Sequence, residues 1–174
     1  MNLLRRNPRL FLAAAILPWI SSCGGGAAPQ AGLPDSSQVA VRGVAERVHV
    51  YVNTARTENG RRPLARDPRL DKLALRWAGD CAGRSEGLPP QLSHRGLQDR
   101  LQVANRLTGA RSIAENIHCV DAGADPARRV VAAWLASSIH RRNIDGPWTD
   151  TGVAAVTDSA GRVWIAQIYA SVPD

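Results

Sequence analysis

Apolar residues recur along this chain with two different periods. Val41, Val44, Val48, Val52 and Ala55 fall three or four apart in one stripe that ends at Gly60, the spacing of an amphipathic helix with a C-terminal glycine stop. After a loop from Arg61 to Arg66, Asp67-Pro68 opens a second helix. Its apolar face is Leu70, Leu73, Ala74, Trp77, Ala78 and Cys81, with an N-cap and a first-turn proline in their usual places. Leu97, Leu101, Ala104 and Leu107 predict a shorter helix ending near Gly109. From Ser112 to Val120 the period drops to two, a strand with Glu115, Ile117 and Cys119 on one face and Asn116 and His118 on the other. Asp125-Pro126 caps another helix, in which Val130, Val131, Trp134, Leu135 and Ser138 repeat and Ser137 and His140 follow three apart on neighbouring turns. Gly152 to Val156 and Arg162 to Ser171 read as two strands joined across Asp158–Gly161.

The first 38 residues have no such period. Residues 1–23 carry Arg5, Arg6 and Arg9, then an apolar stretch from Leu10 to Ile20, which is the pattern of a secretory leader. Ile20-Ser21-Ser22-Cys23 resembles the lipobox of bacterial lipoproteins, implying that the Cys23 thiol is lipidated and becomes the new N-terminus. The rival is cleavage nearby and release. Residues 24–38, rich in Gly, Ala, Pro and Ser, are expected to be a flexible tether, and residues 39–172 a single domain.

Composition narrows the function. A hydrophobic fraction of 44% and a mean hydropathy of -0.21 suit a globular protein, and no apolar run approaches the roughly 20 residues of a membrane span. The net charge of +7 raises nucleic acid as a partner. Without the three leader arginines, however, 19 basic residues face 15 acidic ones, a net of +4, with no block of like charge. Nucleic acid is therefore not expected, and the pairs at 61/62, 128/129 and 141/142 read as solvated faces. With Cys23 lipidated, Cys81 and Cys119 remain in an oxidising compartment and are expected to form a disulfide. Metal binding by His118 and Cys119 is the competitor, but strand alternation points them to opposite faces.

Candidate chemistry is sparse. Gly83-Arg84-Ser85-Glu86-Gly87 matches the nucleophile-elbow spacing, but a helix precedes it and Leu88-Pro89-Pro90 follows, so Ser85 lacks the strand-to-helix context that exposes such a serine. His49 lies off the apolar stripe and reads as a surface histidine. What remains is His94, Glu115 and His140, two imidazoles and a carboxylate from three elements. Such a set can hold a divalent ion or position a water, and the Ser112–Val120 strand with its following helix would bring Glu115 and His140 to one cavity.

Asn53, Arg56, Gly60, Pro63-Leu64, His94, Ala114-Glu115-Asn116-Ile117, Trp134, Ser137, His140-Arg141-Arg142-Asn143-Ile144, Gly152-Val153, Trp164 and Gln167 together resemble the bacterial branch of the CAP superfamily. That superfamily comprises the cysteine-rich secretory proteins, venom antigens and pathogenesis-related proteins. The resemblance runs from about Val48 to Ser171 and implies an α+β fold, a three-layer α-β-α sandwich around a central antiparallel sheet. It also implies a cavity lined by His94, Glu115 and His140, with Ser137 where animal members carry a second glutamate. A divalent cation such as zinc is bound there in some members. Serine is a poorer hard ligand than carboxylate, so no cofactor is expected to be required. Ala154 and Tyr169 depart from the family's glycine and phenylalanine. Asn116, Trp134 and Gln167 are read as structural.

Three functions follow as expectations. The first is a monomeric, non-enzymatic binding module on the outer membrane or periplasmic face, anchored through Cys23, taking a small amphiphile or cell-wall component. The second is a hydrolase of the cell envelope using a metal or the His/Glu set, and the third a structural envelope protein.

Overall fold

The protein was analysed as a computed structural model that describes residues 36–173, with side chains from residue 41 to residue 173. The expected leader, Cys23 and the tether up to residue 35 lie outside the described residues. Helix α1 spans Ser36–Glu58, beginning inside the stretch read as tether. It is followed by β1 (Ala65–Arg66), α2 (Pro68–Arg84), α3 (Leu97–Thr108), β2 (Ser112–Asp121), α4 (Pro126–Ala136), α5 (Ser138–Ile144), β3 (Asp150–Thr157) and β4 (Arg162–Ser171).

The sheet order is β1-β3-β4-β2, with β2, β4 and β3 antiparallel and the two-residue β1 added parallel to β3. Helices cover both faces. On one, Val44, Val48 and Val52 of α1 and Val130 and Trp134 of α4 pack on Val153, Ile165 and Tyr169. On the other, Leu70, Trp77 and Cys81 of α2 and Ala104 of α3 pack on Ile117, Trp164 and Ile168. Strand alternation assigns the layers: odd residues of β2 face α2 and α3, even ones face α4 and α5. This is the expected three-layer sandwich.

Local chemistry fixes the ends. Asp67 accepts from Arg69 N at 2.7 Å ahead of Pro68, and α3 stops at Gly109 with φ 77°, a conformation that costs glycine little. The helix expected to run on through His140 instead breaks at Ser137, which is extended (φ -92°, ψ 122°) and whose N–H donates to Ala133 O and Trp134 O. The Ser137-Ser138 pair explains the break, because serine competes for backbone bonds and favours helix caps over interiors.

A buried polar chain crosses the α4/α5 face of the sheet. Asn143 Nδ2 donates to Asn116 Oδ1 (2.9 Å), Asn116 Nδ2 to the Tyr169 hydroxyl (3.1 Å), Tyr169 to Gln167 Oε1 (3.0 Å), Gln167 Nε2 to Thr151 Oγ1 (3.0 Å), and Thr151 to Ile168 O (2.8 Å). Each donor meets an acceptor, so burial leaves these links satisfied. Asn116 and Gln167 are thus structural, as expected, and Trp134 is a fully buried anchor. Arg56 is buried as well. Its guanidinium donates to the carbonyls of Arg62, Ile144, Gly146 and Trp148, pinning the end of α5 and the loop into β3.

Candidate functional site

The site forms at β2, an edge strand of the sheet. Glu115, on the α2/α3 face of β2, is 3% exposed, and a lone carboxylate in that setting would not stay charged. Two side chains meet it. Arg100 Nε contacts Oε1 and Arg100 Nη2 donates to Oε2 at 2.8 Å, a bidentate pair, while His94 Nδ1 lies 3.2 Å from Oε2. Burial pushes the carboxyl's pKa up, but the bonds from Arg100 and His94 outweigh it and hold the pKa below the ordinary glutamate value.

Arg100 also shapes the loop that carries His94. Its Nη1 donates to Arg95 O (2.8 Å) and its Nη2 to His94 O (3.3 Å). The guanidinium lies 4.6 Å from the Trp77 ring centre, and Trp77 in turn stands 5.4 Å from the His94 ring and donates from Nε1 to Ser93 O at 2.9 Å. Cation, indole and imidazole therefore stack around one buried carboxylate. The His94 side chain is itself half exposed, at 51%, so it is the member of the set that meets solvent.

His140 comes from the other side of β2. The break at Ser137 aims α5 at the strand, where Asn143 Nδ2 donates to Glu115 O at 3.0 Å and Asn116 Nδ2 to His140 O at 3.1 Å. Burial lowers the His140 pKa, and the charges of His94 and His118 lower it further. His118, half-buried on the even face of β2 and also lowered by burial, thus joins His94 and His140 in one electrostatic neighbourhood. Ser137, half-buried at the helix junction, offers its backbone N–H and carbonyl to helix bonds, and none of the site's hydrogen bonds among the described residues uses its hydroxyl.

Divalent-metal binding meets two obstacles in this arrangement. Arg100 occupies both oxygens of Glu115, and among the described residues no group of three His, Cys, Asp or Glu side chains is placed to hold a metal ion. The donor set of His94, His140, Glu115 and Ser137 does not fit a metal as it stands.

The expected Cys81–Cys119 disulfide is not formed: both cysteines are free thiols. Cys81 Sγ receives Arg84 Nη2 at 3.1 Å and donates to Ser93 O at 3.7 Å, and burial raises the Cys119 thiol to about 11. His49 is half-buried rather than a surface residue, and its Nδ1 is buried without a partner. Ser85 is fully buried, with its Oγ accepting from Gln91 N at 2.9 Å, which agrees with dismissing it as a nucleophile. Arg100 is the residue that sequence reasoning missed. The signal was present, since Arg100 interrupts the Leu97–Leu101–Ala104 stripe on its buried side.

Residues 50–169 match the family model CAP, the cysteine-rich secretory protein family, and the chain belongs to that family. Solved structures agree in fold. An extracellular protein containing an SCP domain from Bacillus anthracis aligns with TM-score 0.65 and 22% identity over 80% of this chain and 44% of its own. A cysteine-rich secretory protein from Staphylococcus aureus gives 0.56 and 17% over 75% and 39%, so this chain spans less than half of either protein. An outer surface protein of Borrelia burgdorferi gives 0.61 and 15% over 76% and 95%. No curated protein matches the sequence.

Proposed function

We propose that the protein is an extracytoplasmic, non-enzymatic binding module, tethered to the cell envelope through lipidated Cys23, that takes a small amphiphile or a cell-wall fragment at the surface formed by His94 and His140 over Glu115. One observation carries this reading: the carboxylate is closed off by Arg100 at both oxygens. A general base must reach the proton it abstracts, whereas a neutralised carboxylate serves to fix the half-exposed His94 as a recognition group. The extracellular and outer-surface relatives support the location, and among the described residues no helix is long and apolar enough to cross a membrane. A Cys23→Ser chain is expected to leave the membrane fraction.

One observation favours a hydrolase instead. A half-exposed imidazole backed by a buried carboxylate is oriented as a general base requires. Titration of the purified protein with a muramyl dipeptide and with lysophosphatidylcholine separates the readings. Saturable binding of one of them, weakened at least about tenfold in His94→Ala/His140→Ala, supports a binding module. Turnover of a peptide, ester or glycan that disappears in His94→Ala overturns it.

A further inference from the structure

The sheet has one edge that the fold does not finish. Strand β1 covers only Asp150 and Thr151 of β3. Alternate residues of a strand turn their N–H and C=O to the same edge, and Thr151 turns its own toward β1, where its carbonyl accepts from Asp67 N at 2.9 Å. Next along that edge come Val153, Ala155 and Thr157. At Val153 two side chains replace the missing strand: Asp71 Oδ1 accepts its N–H at 2.8 Å, and Arg66 Nη2 donates to its carbonyl at 3.3 Å. Among the described residues no side chain bonds the main chain of Ala155 or Thr157 in this way.

Those two residues open instead on a groove of about 740 Å3. Val41 and Ala45 of α1 form one wall and Leu75 of α2, 48% exposed, lies on the other. The two helices cover opposite faces of the sheet, so the edge is recessed between them. Neighbouring strands lie about 4.8 Å apart, and a recessed edge admits a single extended chain more readily than a second folded domain. The groove also has a sign: Arg42, Arg66 and Lys72 against Glu46 and Asp71 leave its lining at a net of +1. Both carboxylates pair with Arg66, Asp71 at 3.1 Å, while Arg42 and Lys72 form no ion pair among the described residues.

We propose that this groove is a peptide-docking site in which an extended acidic peptide adds as a fifth strand beside Val153–Thr157. Main-chain bonds to Ala155 and Thr157 supply the affinity, and alternate side chains face the Val41/Ala45 wall and Leu75. Carboxylates of the peptide meet Arg42 and Lys72. The site is separate from the His94 surface and does not depend on what binds there.

The test uses the mature protein and an N-acetylated, C-amidated Glu-Val-Val-Thr-Val-Glu peptide, whose two glutamates fall on opposite faces of an extended strand, read by titration and by amide hydrogen exchange. The peptide is expected to bind saturably and to slow exchange at Ala155 and Thr157, with its lysine counterpart binding more weakly. Ala155→Pro removes a donor from the free edge alone, because the β4 ladder runs through Ala154 and Val156. It is expected to weaken binding at least about tenfold, and Lys72→Glu, which leaves the strand untouched, to weaken it as well. Absence of saturable binding, binding indifferent to both variants, or unchanged exchange at Ala155 and Thr157 overturns the proposal. So does a concentration-dependent dimer of the unliganded protein that Ala155→Pro abolishes, which would give the edge to a second copy. Displacement of the peptide by lysophosphatidylcholine without protection at Ala155 would give it to a lipid and equally overturn the proposal.

Discussion

Burial works against a charged Glu115, and the side chain stays ionised through the two Arg100 nitrogens and His94 Nδ1. The three groups are interdependent, and the cost of removing one follows from what it leaves behind. Arg100→Ala strands a carboxylate that is 3% exposed, and losing one partner of a buried pair typically costs about 3–5 kcal/mol. Urea unfolding should register that loss, while Arg100→Ala/Glu115→Gln should recover much of it, since the charge needing compensation is gone. The same vacancy changes metal chemistry. In the native protein the guanidinium already supplies the positive charge that a divalent ion would bring. Zinc is expected to leave the wild-type melting temperature unmoved and to raise that of Arg100→Ala, where Glu115 and His94 become available together. Stabilisation of the wild type by zinc, lost in His94→Ala, would show that the ion displaces Arg100 and would return the site to metal-dependent readings.

Helix α2 lies so close to β3 that a Cβ built on Gly152 falls 2.1 Å from the Leu70 carbonyl carbon and 2.4 Å from Asp71 N. Both obstacles are backbone and cannot rotate aside. Gly152→Ala should therefore exceed the usual overpacking cost of about 1–3 kcal/mol, and an unchanged urea midpoint would mean that the two layers slide apart freely. Cys81 of α2 and Cys119 of β2 share one apolar cluster, so their oxidation state is also a property of this layer contact. In a Cys23→Ser chain, unfolded without reductant, two titratable thiols are expected; a count of none would establish a Cys81–Cys119 bridge and overturn the free-thiol state. The helices and long strands were legible because burial imposes a period on ten or more residues. What escaped was shorter or non-local. Two residues of β1 have no period to read, and the break at Ser137 leaves the apolar stripe of α4 intact up to Trp134. Arg100 and Glu115 are 15 positions apart on different elements, so their pairing is a product of the tertiary fold. The residues predict His94, Glu115 and His140 as one set; the fold puts His94 against the Glu115 carboxylate, while His140 reaches β2 through its backbone carbonyl at Asn116. His118 lies on the opposite strand face, as alternation predicts, yet at an edge strand both faces border the same surface.

At the scale of the folded domain, three histidines lean one way. His49, His118 and His140 all have pKa values lowered chiefly by burial, His140 additionally by its neighbouring imidazoles. A histidine whose folded pKa lies below its unfolded value of about 6.5 binds fewer protons folded than unfolded in that interval. Stability then falls as pH drops through the unfolded value and levels off below the folded one. Glu115, where burial raises the pKa but the bonds from Arg100 and His94 lower it further, has the same sign in a more acidic window: its contribution is complete above the unfolded glutamate value of about 4.3 and disappears as pH falls through the lower folded one. Two steps of acid destabilisation are therefore expected, one opening below about pH 6.5 and one below about pH 4.3. Melting curves at a series of pH values check both. His118→Gln/His140→Gln should flatten the first step and leave the second, because the buried charge pair at Glu115 is untouched. A first step of full size in that variant would trace the neutral-range sensitivity to His49, whose buried Nδ1 has no partner to share a proton. No dependence at all between pH 7.5 and 5 would mean that the three imidazoles meet more water than their packing implies.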